Sequence, residues 1–214
     1  MELLYLVLFL LFSVLGFLVY NSYSFQLHQH KRRLWTKILK ELQKEVKGTY
    51  VPEAYFAHSH RIVPSKEYKT FANRQKLHFS RCYNVMTFKT EDSDWELFFH
   101  LVKDGVTFSE IINIRVFPKH NKIRSEGNIE KAHGGLNFFT NNRYLNEKLE
   151  EEVIKERLEK ILTKTGDIML ISHGGMHYKA FIDGKNLNVH KVMEIIKAMH
   201  YIKTKVFKEG VLEY

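Results

Sequence analysis

The sequence predicts an α+β protein, with a single N-terminal transmembrane helix followed by an antiparallel sheet with packed helices. Three observations carry this expectation. An uncharged apolar run opens the chain, from Leu3 to Tyr20. Segments rich in aromatic and β-branched residues, separated by turn signals, fill the middle. From Leu136 onward the order reads strand, helix, hairpin, helix, the pattern of helices laid on one face of an antiparallel sheet. The implied organisation is a transmembrane anchor over residues 1–25, a basic juxtamembrane amphipathic helix over 26–50, and an α+β domain over 51–214.

The run LLYLVLFLLFSVLGFLVY contains nothing more polar than one Ser and two Tyr. About 18 helical residues at about 1.5 Å each span roughly 27 Å, close to the hydrocarbon thickness of a bilayer. A cleaved signal peptide would show a basic n-region and a small-residue cleavage site. Here the only charge before the run is Glu2, and Asn21-Ser22-Tyr23-Ser24-Phe25 has no Ala-x-Ala-like site. A core helix would show polar residues at a 3.6 period, and this run is apolar all round. A retained anchor fits best. Basic residues crowd after it, including Lys31, Arg32, Arg33, Lys37 and Lys40, whereas no Lys or Arg precedes it. The positive-inside rule therefore predicts an outside N-terminus and a cytoplasmic body. The lone Cys82 agrees with a reducing compartment.

The formal net charge is +9. Much of that excess lies between Lys31 and Lys47, where it can face anionic headgroups at roughly 1 kcal/mol per close basic residue. That distribution argues for a membrane surface, with those five basic residues as its contacts, and against nucleic acid. Three Pro and no low-complexity stretch argue against a disordered tail.

Each element has its own justification. In KRRLWTKILKELQKEVK, apolar Leu34, Trp35, Ile38, Leu39, Leu42 and Val46 recur at helical spacing, with Gly48 as a stop. Strands are expected at Ala54–Val63, Ser80–Thr90, Trp95–Val102 and Val106–Phe117, the last two joined by an Asp104-Gly105 hairpin signal. Residues 64–79 and 118–135 read as loops, the second a candidate contact surface. Leu136–Phe139 reads as a strand and Thr140-Asn141-Asn142 as a helix cap. One helix is expected from Arg143 to Lys164, burying Leu145, Leu149, Val153, Leu158, Ile161 and Leu162 and ending at Gly166. Strands Asp167–Ser172 and Met176–Ile182 flank His173-Gly174-Gly175. A last helix, Val189–Phe207, shows a stripe of Val192, Met193, Ile196, Met199 and Ile202.

The run Phe138-Phe139-Thr140-Asn141-Asn142 with its following acidic helix, the hairpin Ile168–Ile182 and the closing helix together resemble a family of uncharacterised bacterial membrane-anchored proteins. The resemblance covers about residues 80–205. It implies the α+β fold, and since no activity is established for that family it implies no reaction.

Twelve His invite a metal reading. His58-Ser59-His60 on a strand would put two imidazoles on one face, and His173 and His177 flank a hairpin turn across which they could meet. No Cys pair, His-Glu-x-x-His or acidic ligand set accompanies them, so these four stand as candidates beside the simpler reading of surface or half-buried histidines. His133-Gly134-Gly135 and His173-Gly174-Gly175 could suggest an esterase oxyanion loop, but no Gly-x-Ser-x-Gly elbow is present and hairpin turns explain both. Cys82 reads as a small buried apolar residue rather than a nucleophile. Phosphate-binding glycine loops are absent, and no cofactor is indicated. The sequence thus points to a membrane-tethered scaffold or accessory protein that binds another membrane or membrane-associated protein. A hydrolase-type or metal-dependent enzyme using the His-rich strands is the alternative.

Overall fold

The computed structural model describes residues 2–57, 60–68, 79–104, 107–119, 126–140, 142–172, 175–181 and 187–208. The first element is one continuous helix, α1 (Glu2–Val46), that joins the apolar run to the amphipathic stretch without a break. Tyr5–Tyr23 has a mean hydropathy of 2.0 and is wholly exposed. Its second half is built into the domain. Trp35, Ile38, Leu39 and Leu42 are 0–3% exposed in the main core, worth about 1.5–3 kcal/mol each as an upper estimate. Leu34 and Val46 pack half-buried beside them.

The strands are β1 (Thr49–Ala57), β2 (His60–Pro64), β3 (Ser80–Lys89), β4 (Ser93–Asp104), β5 (Thr107–Pro118), β6 (Gly127–Ala132), β7 (Gly135–Thr140), β8 (Ile168–Ser172) and β9 (Gly175–Phe181). Among the described residues they form one antiparallel sheet in the order β2-β1-β3-β4-β5-β9-β8-β6-β7. Helices α2 (Arg143–Glu150), α3 (Glu152–Ile161) and α4 (Val189–Lys208) join α1 on one face. The α+β expectation is met.

Strand alternation decides which residues meet the helices. Trp95, Leu97 and Phe99 of β4, Ile112, Ile114 and Val116 of β5, and Met176 and Tyr178 of β9 enter the main core. The side chains between them, including Glu96, Phe98, Asn113, Arg115 and His177, belong to the second face. A smaller apolar cluster of Ala54, Phe56, Cys82, Val85 and Phe98 packs there, with Ile62 of β2 against it. Strand β2 folds over this face, since the Ile62 amide donates to Glu96 Oε1 at 3.0 Å.

A bulge in β3 fastens α1 to the sheet. The β3–β4 register shifts between Tyr83 and Met86, and Asn84 adopts a φ of 47°, a left-handed conformation that Asn tolerates better than most residues. There the Asn84 backbone carbonyl accepts from Trp35 Nε1 at 3.1 Å, and its side-chain Nδ2 donates to the Arg32 carbonyl at 3.3 Å. Its side-chain oxygen accepts from Tyr50 at 2.8 Å.

Several boundaries differ from the sequence expectations. The strand expected over Ala54–Val63 is two strands, with Ala57 opposite His60 across a reversal; nothing of the Gly, Pro, Asn or Asp type marks the turn. The loop expected over 118–135 contains β6, whose only large apolar residue is Ile129, too few for a visible alternation. The helix expected from Arg143 to Lys164 is interrupted at Glu151, which is extended at φ −53° and ψ 126°. That break resets the helical phase, so Ile154 is buried and Val153 is half exposed. Asn142 caps α2 by accepting from the Leu145 amide at 3.0 Å. Gly166, at φ 92°, turns the chain after α3, and Asp167 accepts from the Thr163 and Lys164 amides.

Candidate functional site

Of the four candidate histidines, the side chain of His177 lies among the described residues. The β1–β2 register sets Ala57 opposite His60, so the expected single strand over Ala54–Val63 is two. His58, His173 and the side chain of His60 lie outside the described residues. His177 is buried on β9, where its Nε2 lies 2.8 Å from Asn113 Oδ1 and its ring 6.3 Å from that of Phe98. Among the described residues no group of three His, Cys, Asp or Glu side chains is placed to hold a metal ion.

A different set of polar residues converges on the second face. The β4–β5 register puts Glu96 opposite Arg115, and the β5–β9 register puts Arg115 opposite His177. Arg115 Nη1 lies 3.3 Å from Glu96 Oε2, with both side chains nearly out of water. Burial pushes the Glu96 carboxyl up against the pull of Arg115, and burial pushes the Arg115 guanidinium down against the pull of Glu96. Arg61 of β2 closes the cluster, lying 3.7 Å over the Phe117 ring and 3.2 Å from Asp94. Sequence reasoning overlooked this pair, although a charge inside each of two apolar strands was a readable signal. The β4–β5 register, running from Ser93 opposite Pro118 to Asp104 opposite Thr107, joins them.

Cys82 packs in the same face. Burial pushes its thiol up to about 12, and its Sγ donates to the Ala54 carbonyl at 3.3 Å. A thiol held protonated and out of water is a packing group rather than a nucleophile.

The basic residues of α1 divide by helical phase. Lys31 turns into the domain, 2.8 Å from the buried Glu110 carboxylate. Arg32 is exposed and lies 4.4 Å over the Tyr83 ring. Arg33, Lys37 and Lys40 stay on the outer face, where they line a shallow strip with Thr36, Glu41 and Lys44. A straight helix advances about 1.5 Å per residue, so Lys37 and Lys40 stand roughly 21 and 26 Å beyond Tyr23 along its axis.

An open feature lies at the end of the sheet. Among the described residues strand β7 is an edge, paired with β6, a geometry that can accept another strand. Phe139 stands on it with 57% exposure. Beside this edge opens a groove of about 760 Å³, lined by Glu126, Gly127, Asn128, Phe138, Phe139, Thr140, Asn146, Leu170, Ile171 and Ser172. Asn128 Oδ1 is buried with no donor among the described residues. Gly127 keeps the floor narrow, because a Cβ there would stand 3.1 Å from Leu145 and from Thr140.

The fold resembles that of a mycobacterial transport factor. The crystal structure of the mycobacterial trehalose monomycolate transport factor A, TtfA, matches with a TM-score of 0.52 at 11% sequence identity, covering 85% of this chain and 100% of that one. The likeness to TtfA therefore spans the architecture as a whole. At that identity it is a likeness of fold. No family model and no curated protein sequence matches the chain.

Proposed function

We propose that this chain is a membrane-tethered accessory protein that acts by binding rather than catalysis, with its α+β domain at the cytoplasmic face. The observation that carries the reading is the continuity of α1. The apolar half fits a bilayer in length and composition, while the other half supplies Trp35, Ile38, Leu39 and Leu42 to the core. A cleavable leader would have no reason to continue unbroken into a buried core helix, so the continuity supports a retained anchor. The crowding of basic residues after the apolar half supports the orientation. With the helix near the membrane normal, Arg32 and Arg33 stand nearest the headgroups. Lys37 and Lys40 lie more than about two Debye lengths of 8 Å beyond Tyr23. The fold shared with a transport factor is consistent with an accessory role beside a larger membrane machine.

The docking surface in this reading is the β7 edge and its groove, which would take an extended segment of a membrane protein by strand addition. Two measurements test the proposal. Cysteines placed at Lys37 and at Glu156, in a Cys82→Ala background, should resist a membrane-impermeant maleimide in intact cells and react after lysis. Labelling in intact cells would overturn the orientation. A photocrosslinking amino acid at Phe139 should give a discrete membrane-protein adduct that the same group at Glu156 does not give. Equal adducts from both positions, or none from Phe139, would overturn the docking edge.

A further inference from the structure

A second groove opens on the helix face, between the C-terminal end of α1, α3 and α4, over the ends of β3 and β4. It encloses about 560 Å³, within the range of small-molecule sites. Its floor is apolar: Phe88 and Trp95 stack at 5.6 Å, with Ile196 and Tyr201 of α4 completing the wall. The polar atoms in this lining are out of balance. Arg157 of α3 lies 3.9 Å over the Tyr201 ring, and its Nε is buried with no acceptor among the described residues. Trp95, 1% exposed, carries an indole N–H in the same state. Lys197 and His200 add positive or titratable groups at the rim, and among the described residues no Asp or Glu lines the groove.

Buried donors without acceptors are costly to leave unmet, and an apolar wall attracts hydrocarbon. One class of molecule answers both: an apolar chain ending in an anionic acceptor. The geometry points to a binding site for a single-chain anionic amphiphile, its chain along Phe88, Ile196 and Tyr201 and its carboxylate or phosphate head at Arg157. A neutral alkyl chain leaves the guanidinium uncompensated. This site is remote from the β7 edge and does not depend on the tethering or docking reading.

The test uses the full chain in phosphatidylcholine nanodiscs with a diazirine-bearing palmitate. Cross-links should map to peptides containing 152–161 and 189–208. Palmitate should compete and hexadecanol should not. Arg157→Gln should weaken labelling of these peptides about tenfold, as expected for loss of a charge-assisted contact. Thr204→Trp, which fills the groove mouth from a half-buried position, should abolish it, with circular dichroism confirming the fold of both variants. Competition by lysophosphatidate as strong as by palmitate would assign the head to a phosphate or carboxylate alike; stronger competition by either names the preferred source. Labelling confined to α1, equal competition by hexadecanol, or full labelling in folded Thr204→Trp would each overturn the site.

Discussion

Replacing Glu96 by Leu should destabilise the domain far more than replacing Glu96 and Arg115 together. The two charges lie 3.3 Å apart, with side-chain exposures of 6% and 1%. At an effective dielectric near 20, that separation corresponds to about 5 kcal/mol of attraction, set against several kcal/mol of desolvation per ion. Removing the carboxylate leaves the desolvation of Arg115 uncompensated, and the expected loss is about 3–5 kcal/mol. In Glu96→Leu/Arg115→Met both charges are gone and apolar volume remains. The Ile62 amide, which donates to Glu96, is left without its acceptor, at about 1–3 kcal/mol. The double variant should therefore recover about 2 kcal/mol relative to the single one. Urea unfolding of the full chain in non-ionic detergent can be followed by tryptophan emission, because Trp35 and Trp95 are both buried. A loss below about 1 kcal/mol in Glu96→Leu, or a double variant less stable than the single one, would refute the account.

Other expectations follow from the same packing. Leu39→Ala should cost about 2–5 kcal/mol, because Leu39 is fully buried where α1 enters the core; the same urea titration reads it. Cys82 should resist Ellman's reagent at pH 8 in the folded protein and react promptly in urea, since its thiol is held up to about 12 by burial. Burial raises the Asp92 carboxyl, but hydrogen bonds from Lys203, Thr90 and Ser93 outweigh it and hold that carboxyl well below the usual carboxylate range. A depressed carboxylate favours the fold above its unfolded value of about 3.9 and loses that contribution as pH falls below it. Asp92→Asn should accordingly flatten the stability profile between about pH 5 and 2, measured by thermal unfolding.

Much of the fold was written in local periodicity. The α4 stripe of Val192, Ile196, Met199 and Ile202 and the α1 stripe of Trp35, Ile38, Leu39 and Leu42 are core residues in the structure, because a one-sided helix leaves a 3.6-residue trace. Asp104-Gly105 marked a hairpin whose register then pairs twelve residues of β4 with twelve of β5. Where the signal lay in contacts between distant segments, local pattern fell short. Strand β6 presents one large apolar residue and draws its strand character from β7 and β8 on either side. The interruption at Glu151 carries no Gly or Pro, and only the exchange of Ile154 for Val153 in the core reveals it. Both grooves are assembled from three or more elements, so no stretch of sequence displays them.

The unbroken α1 makes the angular setting of the domain a property of sequence length. Each residue of helix turns its successor by about 100° and lifts it about 1.5 Å. With α1 as the proposed anchor, the number of residues between Tyr23, the end of the apolar span, and Trp35, locked by its indole to the Asn84 carbonyl, would therefore set which side of the sheet looks along the bilayer and how high it stands. One inserted residue would swing the β7 edge by more than a quarter turn, and a full heptad would nearly restore its bearing about 10 Å farther from the membrane. As the proposed tethered binding protein, the domain would meet its partner at a fixed azimuth and height, and its spacer would tolerate changes of residue far more readily than changes of length.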